Sequence, residues 1–313
     1  MAVVWRRVFT VLGLIGLFFF VIPIKVDRTN VVEQEDELFS DFVRKFNKTY
    51  EINSEEYAKR FHNFKESLRR IEELNEGRSS NLSAVYGITE YSDLSPDEFL
   101  QERKESNNRC KKNQKSCGAC WAFSTVETVE AMYAIRKGIL HKLSVQELID
   151  CAENGNLGCE GGDACSLLKW LVAKKVNIEL ENEYPLVWKT QHCKLKGTEK
   201  GIQIAANYSC EYLVGFEDEI LQLLAYHGPV AVSVNAINWQ NYLGGIIQFH
   251  CDGGFHNINH AVQIVGYDRS PPVPHYIVRN SWGTEFGDKG YLYIAIGSNL
   301  CGLATEVSSL DVL

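Results

Sequence analysis

The stretch Ser116-Cys117-Gly118-Ala119-Cys120-Trp121-Ala122-Phe123-Ser124 brings glycine, cysteine and tryptophan together ahead of an apolar periodic run. From Cys120 to Arg136 the residues Trp121, Val126, Val129, Met132, Tyr133 and Ile135 recur at helical spacing, and Lys137 with Gly138 supplies a stop. The pattern predicts one long helix with a cysteine at its first position. A thiol there faces the positive end of the helix dipole and the N–H groups of the first turn, and both favour the thiolate. With an imidazole in reach, such a sulfur is a nucleophile in mild acid. The competing reading of Cys117 and Cys120 is a redox or metal-binding pair. No second Cys/His pair stands at zinc-finger spacing in the chain, which weighs against it. No metal and no organic cofactor is implied.

Downstream, Ser144 and Glu147 form a capping box ahead of Leu148 and Ile149, and a third helix is predicted from Asp163 to Lys174. After Gly228-Pro229 the texture changes to short apolar runs and alternation, at Val230–Val234, Ala261–Tyr267, Tyr276–Val278 and Tyr291–Ile296. Helices first and strands afterwards predict an α+β enzyme of two lobes with a cleft between them. Upstream, Leu38, Phe39, Phe42, Val43 and Phe46, then Tyr57, Phe61, Phe64, Leu68 and Ile71, predict two amphipathic helices. Asn53 and Glu56 are placed to cap the second, and Asn75 with Gly77 to end it.

The 313 residues suffice for a leader, a small helical segment and one enzyme domain of roughly 200 residues. With 32 basic against 40 acidic residues the net charge is -8, which argues against a nucleic-acid partner. A cysteine nucleophile needs a base to protonate the leaving amine, and that base needs a fixed tautomer. His260 begins one apolar strand and Asn280 ends another, which suits a Cys-His-Asn arrangement. Seven other histidines compete, and the residues alone leave that choice open.

Asn113–Ser124, with Cys117-Gly118-Ala119-Cys120-Trp121 at its centre, resembles the active-site block of the papain and cathepsin family of cysteine proteases (peptidase C1). Asn259-His260-Ala261-Val262 is similar to that family's histidine block, and Val278-Arg279-Asn280-Ser281-Trp282-Gly283 to its asparagine block. The resemblance spans nearly everything from Glu37 onward. It implies a papain-like two-lobed fold, a helical lobe plus a β-barrel-like lobe, preceded by a small α-helical propeptide. It implies Cys120, His260 and Asn280 as catalytic residues, Gln114 as an oxyanion donor and Trp282 as a shield over the Asn280 contact. Gly161 and Gly162 would hold substrate backbone, while Asp163, Ala164, Ser233, Ile258 and Glu306 would line the pocket for the second residue before the scissile bond. Two carboxylates there favour a basic side chain. The resemblance also suggests disulfides Cys117–Cys159, Cys151–Cys193 and Cys251–Cys301; Cys110, Cys165 and Cys210 are left over, as buried thiols or with two of them paired. Upstream, Glu56, Arg60, Phe64, Ile71 and Asn75 resemble the family's inhibitory propeptide, with Ser67 where the pattern expects asparagine. Gly87, Tyr91 and Asp93 resemble a second pro-motif, with Thr89 replacing another asparagine.

The expected organisation is a signal peptide or signal anchor at 1–24, a helical inhibitory propeptide at 34–100, a shortened junction at 101–112 and a catalytic domain at 113–313. Arg6 and Arg7 before the apolar run Val8–Ile22 read as a targeting segment. Sequons at Asn47, Asn81 and Asn207, with ten cysteines, agree with an oxidising secretory lumen, lysosomal or extracellular. Only 13 residues lie between Leu100 and Gln114, at most about 45 Å of extended chain, where the family places a propeptide tail, a cleavage linker and a mature N-terminal strand. The expected function is a cysteine endopeptidase acting through a Cys120 acyl-enzyme and made as a zymogen, a monomer acting on protein or peptide substrates and open to cystatin-like inhibitors. The alternative is a catalytically silent homologue or a propeptide-type protease inhibitor.

Overall fold

The computed structural model describes residues 28–78, 80–102, 117–195, 201–270 and 272–313. The leader at 1–24, Cys110, Gln114 and most of the junction lie outside them. The chain divides into two units, Met1–Thr49 and Tyr50–Leu313. In the first, α1 (Arg28–Lys45) begins well ahead of the apolar stripe at Leu38, because the polar run before it contains no helix breaker. Phe39 stacks on Phe42, and the Lys48 ammonium lies 5.5 Å from the Phe42 ring centre.

In the second unit, α2 (Glu55–Asn75) is capped one residue later than predicted. Ser54 Oγ accepts the Tyr57 N–H at 3.0 Å, while Asn53 turns the chain in the left-handed region at φ 68°, which asparagine tolerates. At the other end the Asn75 amide bridges to the next segment, donating to the Tyr86 carbonyl (2.9 Å) and accepting the Tyr86 N–H (3.1 Å). Those bonds hold β1 (Val85–Tyr86), and α3 (Pro96–Glu102) follows.

Three helices build the helical lobe: α4 (Cys120–Lys137), α5 (Val145–Cys151) and α6 (Ala164–Lys174). Their boundaries follow from local chemistry. Gly138 ends α4 at φ 74°, Ser144 Oγ accepts the Glu147 N–H at 2.9 Å ahead of α5, and the Asp163 carboxylate accepts the Ser166 N–H at 2.6 Å ahead of α6. The short strands β2 (Asn177–Ile178) and β3 (Ile202–Gln203) pair antiparallel beside them.

The remaining elements are β4 (Ser209–Glu211), α7 (Glu217–Tyr226), β5 (Val230–Val234), β6 (Tyr242–Gly244), β7 (Ile246–Ile247), β8 (His260–Asp268), β9 (His275–Arg279), β10 (Tyr291–Ala295) and β11 (Val307–Ser309). Seven of these strands form one sheet in the order β4-β11-β5-β8-β9-β10-β7, antiparallel except for β10 with β7. Each lobe has its own apolar core. The chain end returns to the helical lobe, where Leu310 and Val312 are buried beside Val129 and Leu171.

The segment ahead of the helical lobe packs on the sheet lobe. β1 pairs antiparallel with β6, and Leu74, Tyr86, Leu94 and Phe99 join the core that contains Trp239, Tyr242 and Trp282. The buried amides Gln240 and Asn241 are satisfied by this segment. Gln240 Nε2 donates to the carbonyls of Tyr91 (2.6 Å) and Leu94 (3.0 Å), and Asn241 Nδ2 donates to Ser67 Oγ (3.0 Å) and Ser92 Oγ (3.1 Å). Ser67 and Thr89, the two departures from the propeptide pattern, both contact this loop; Thr89 Oγ1 donates to the Gln240 carbonyl at 2.8 Å.

Candidate active site

The first turn of α4 is fixed from behind. The Cys117–Cys159 disulfide and the bond from Gly118 N–H to the Cys159 carbonyl (2.8 Å) anchor the loop that enters the helix, and Trp121 Nε1 donates to the Gly158 carbonyl at 3.3 Å. Gly162 lies so close to this helix that a Cβ there would meet the Trp121 ring at 2.6 Å, so the position admits only glycine. Cys120 is half-buried and, among the described cysteines, the one outside a disulfide. Thus a cysteine stands at a helix start whose N–H groups carry partial positive charge.

The other two residues of the predicted triad come from β8 and from the end of β9. Those strands are antiparallel neighbours with Gln263 opposite Arg279, which sets His260 beside Asn280. His260 Nε2 lies 2.8 Å from Asn280 Oδ1, and the Ser281 N–H donates to that same oxygen at 2.8 Å. An atom that accepts a backbone N–H is the amide oxygen, so Nε2 must be the donor to it. The tautomer and ring plane of His260 follow from that bond, leaving Nδ1 as the ring nitrogen open to proton exchange. The imidazole is buried, stacked on Trp282 (centroids 4.7 Å apart) and edge-on to Trp239 (6.0 Å).

The two lobes are joined directly beneath these groups. Glu127, two turns along α4 from Cys120 and 2 % exposed, pairs with Arg279 at 3.3 Å, and Gln263 Nε2 reaches Thr128 Oγ1 at 3.4 Å. The helix carrying the cysteine is therefore tied to the strands carrying the histidine and the asparagine.

A cavity of about 370 Å³ opens onto the site. Cys120 and His260 line it together with Gly161, Gly162, Asp163, Ala164, Ser233, Ile258, Trp282 and Glu306, so the structure gathers the predicted pocket residues around the predicted nucleophile and base. Gln114 lies outside the described residues. Leu100 also lines the cavity, and the buried Phe99 meets Trp282 edge-on at 5.3 Å. The end of the upstream segment thus stands at the mouth of the site. Sequence reading missed these two residues, Trp239 and the Glu127–Arg279 pair; a glutamate within the apolar helix α4 was the available signal for the last.

Among the described residues there are four disulfides: Cys117–Cys159, Cys151–Cys193, Cys251–Cys301 and Cys165–Cys210. The last pairs two of the three cysteines that the sequence left over.

Residues 96–310 match the family model described as papain family cysteine protease, and residues 39–99 match that of the cathepsin propeptide inhibitor domain. Human cathepsin O is 39% identical over 282 residues, covering 80% of this chain and 87% of the relative; the mouse cathepsin O is 35% identical over 280 residues, covering 79% and 88%. The stretch Trp239–Gln248 and the ending Cys301–Ala304 look most like cathepsin O in the sequence as well. Among solved structures, digestive procathepsin L 3 of the Tenebrio molitor larval midgut superposes with a TM-score of 0.72 at 28% identity, covering 88% of this chain and 99% of the other. This chain belongs to the papain family of cysteine proteases and carries a cathepsin-type propeptide inhibitor domain ahead of the protease.

Proposed function

We propose that Cys120 is the nucleophile of this cysteine protease, His260 its general acid and base, and Asn280 the residue that holds the imidazole. The observation that carries the reading is the 2.8 Å contact between His260 Nε2 and Asn280 Oδ1, with Cys120 lining the same cavity. The Cys120 thiolate attacks the scissile carbonyl carbon, and the negative charge passes to the carbonyl oxygen, which the Cys120 backbone N–H is placed to stabilise; Gln114 is the second donor that the family resemblance implies. The tetrahedral intermediate collapses as His260 gives the proton on Nδ1 to the departing amine, leaving an acyl-enzyme thioester. Water then attacks the thioester carbon while His260 takes its proton, and the thiolate leaves. The Nε2 hydrogen stays with Asn280 throughout, so one nitrogen moves protons while the other fixes the ring.

The organisation is that of a secretory zymogen: leader 1–24, propeptide 34–100, junction 101–112 and catalytic domain 113–313. α2, β1 and α3 form the inhibitory part, with Phe99 and Leu100 set against the cleft. Four disulfides agree with an oxidising compartment, lysosomal or extracellular, and the sequon asparagines Asn47, Asn81 and Asn207 are all exposed, as glycan acceptors must be.

The test is covalent labelling with a peptidyl epoxide, followed by peptide mapping. Label on Cys120 that disappears in His260→Ala supports the assignment. Label on another residue, or none in the folded protein freed of its pro-region, overturns it and favours a silent homologue or a propeptide-type inhibitor.

A further inference from the structure

Among the described disulfides, Cys117–Cys159, Cys151–Cys193 and Cys251–Cys301 each have one buried and one half-buried member. Cys165–Cys210 has no buried member: Cys165 is half-buried and Cys210 is exposed. Cys210 lies in β4, an edge strand of the seven-stranded sheet. Thiol–disulfide exchange needs a thiolate to reach one of the two sulfurs, so access decides which disulfide opens first.

The disulfides also differ in what they join. Cys117, Cys151, Cys159 and Cys193 belong to or pack on the core of the helical lobe, and Cys251 and Cys301 on that of the sheet lobe. Cys165 is in the first turn of α6 in the helical lobe, whereas Cys210 is in the sheet. Among the described disulfides, Cys165–Cys210 is therefore the one that crosses between the lobes.

The Cys165 sulfur is set up to depart as a thiolate. The Ser308 hydroxyl, buried in β11, lies 3.2 Å from it and 3.9 Å from the Cys210 sulfur. A sulfur in a disulfide has no hydrogen, so the hydroxyl is the donor, and such a bond strengthens when the sulfur becomes charged. The N-terminal end of α6 favours the same charge. Asp163 caps that turn and the Glu306 carboxyl accepts the Cys165 N–H, and both oppose it. The hydroxyl and the helix end offset these carboxyls.

We propose that Cys165–Cys210 is a redox modification site, a latch between the lobes that small-molecule thiols open ahead of the other three described disulfides. A thiolate attacks the exposed Cys210 sulfur, and the electron pair of the broken S–S bond leaves on Cys165, which takes a proton from solvent. A second thiolate attacks the outer sulfur of the mixed disulfide and frees Cys210. Two small thiols are oxidised to one disulfide, and the latch is reduced to two thiols. Glu127–Arg279 and Gln263–Thr128 still join the lobes, while the edge between α6 and β4 is released. A link between cysteines 45 residues apart acts mainly by restricting the unfolded chain, so its opening lowers stability. The protease is thus longer-lived where thiols are scarce than where they are plentiful. No step of this involves the catalytic residues.

The experiment uses full-length Cys120→Ser, which keeps every disulfide and removes a competing thiol. The protein is exposed to rising reduced glutathione at neutral pH, trapped with a thiol alkylator and mapped by mass spectrometry, with thermal midpoints measured on the same samples. Label on Cys165 and Cys210 is expected at least about tenfold sooner than on the cysteines of the other three disulfides. The midpoint should fall by about 5–15 °C in step with that label. Adding Cys165→Ala and Cys210→Ala should give the lowered midpoint with and without glutathione; the titration of the intact pair carries the test if that variant does not fold. Ser308→Ala should slow the opening about three- to tenfold. Earlier or simultaneous opening of another disulfide overturns the site. Selective opening with an unchanged midpoint overturns the latch, and an unchanged rate in Ser308→Ala overturns the part given to the hydroxyl.

Discussion

Phe99→Ala tests how the propeptide closes the site. Phe99 has 0 % exposure and sits edge-on to Trp282 and 5.5 Å from the Tyr91 ring, so its removal empties a ring-sized space between propeptide and sheet lobe. Truncating a buried phenylalanine costs about 3–5 kcal/mol, of which an edge-to-face aromatic pair is about 0.5–1.5 kcal/mol. If about 3 kcal/mol of that cost falls on the closed form alone, at about 1.4 kcal/mol per decade, the open fraction rises on the order of 100-fold. The rate at which a substrate-sized thiol reagent labels Cys120 in the uncleaved chain should rise by the same factor, up to the rate of protein freed of its propeptide. Phe99→Leu should recover most of the closure. An unchanged rate in a folded Phe99→Ala chain would refute the reasoning, because the propeptide would then be held by something other than this contact.

Asn280→Ala should lower kcat about 100-fold with little change in KM, since the imidazole loses its tautomer lock while the substrate pocket stays intact; a fall confined to KM contradicts the role. Burial pushes Glu147 up to about 8, with the Glu179 N–H working against it at 2.6 Å. A carboxyl raised in the folded state contributes stability that is complete below about pH 4.5 and lost as the pH rises towards 8, at about 1.4 kcal/mol per unit at most. Glu147→Gln should flatten that decline in thermal midpoints at pH 5 and 8, and parallel profiles would contradict it. Glu98 has the opposite sign: partial burial works against ionisation, but Lys59, the Ser95 N–H and Arg60 outweigh it and hold the carboxyl at about 2. Its support of the α2–α3 contact is complete above about pH 4.5 and fades as the pH falls towards 2. Glu98→Gln should raise Cys120 labelling of the uncleaved chain at pH 5 about tenfold, and no change in rate counts against the contact.

Much of this architecture was legible because it rests on local chemistry. Cys120 at the head of a periodic run, Gly138 at its end and the capping residues Ser144 and Asp163 each act over a few neighbouring residues. The Asn53 expectation failed by one position because Asn53 and Ser54 are both good capping types, and only the turn geometry decides between them. Long-range features were not legible in the same way. Whether Cys165 meets Cys210 depends on how α6 and β4 face each other across the lobes, and nothing in their spacing encodes it. Phe99 and Trp282 are likewise brought together by folding from segments far apart in the chain. His260 could be chosen among eight histidines only through the family blocks, and its 2.8 Å contact with Asn280 depends on the pairing of β8 with β9, which no spacing in the sequence encodes.

The central claim is that one sulfur does the chemistry. The direct measurement is thiol-dependent hydrolysis of a peptide substrate by the activated wild type and by Cys120→Ser prepared in the same way. Activity in the first and its loss by at least about 10³-fold in the second is the predicted result. Equal activity in both, or none in a correctly folded wild type freed of its propeptide, contradicts the account.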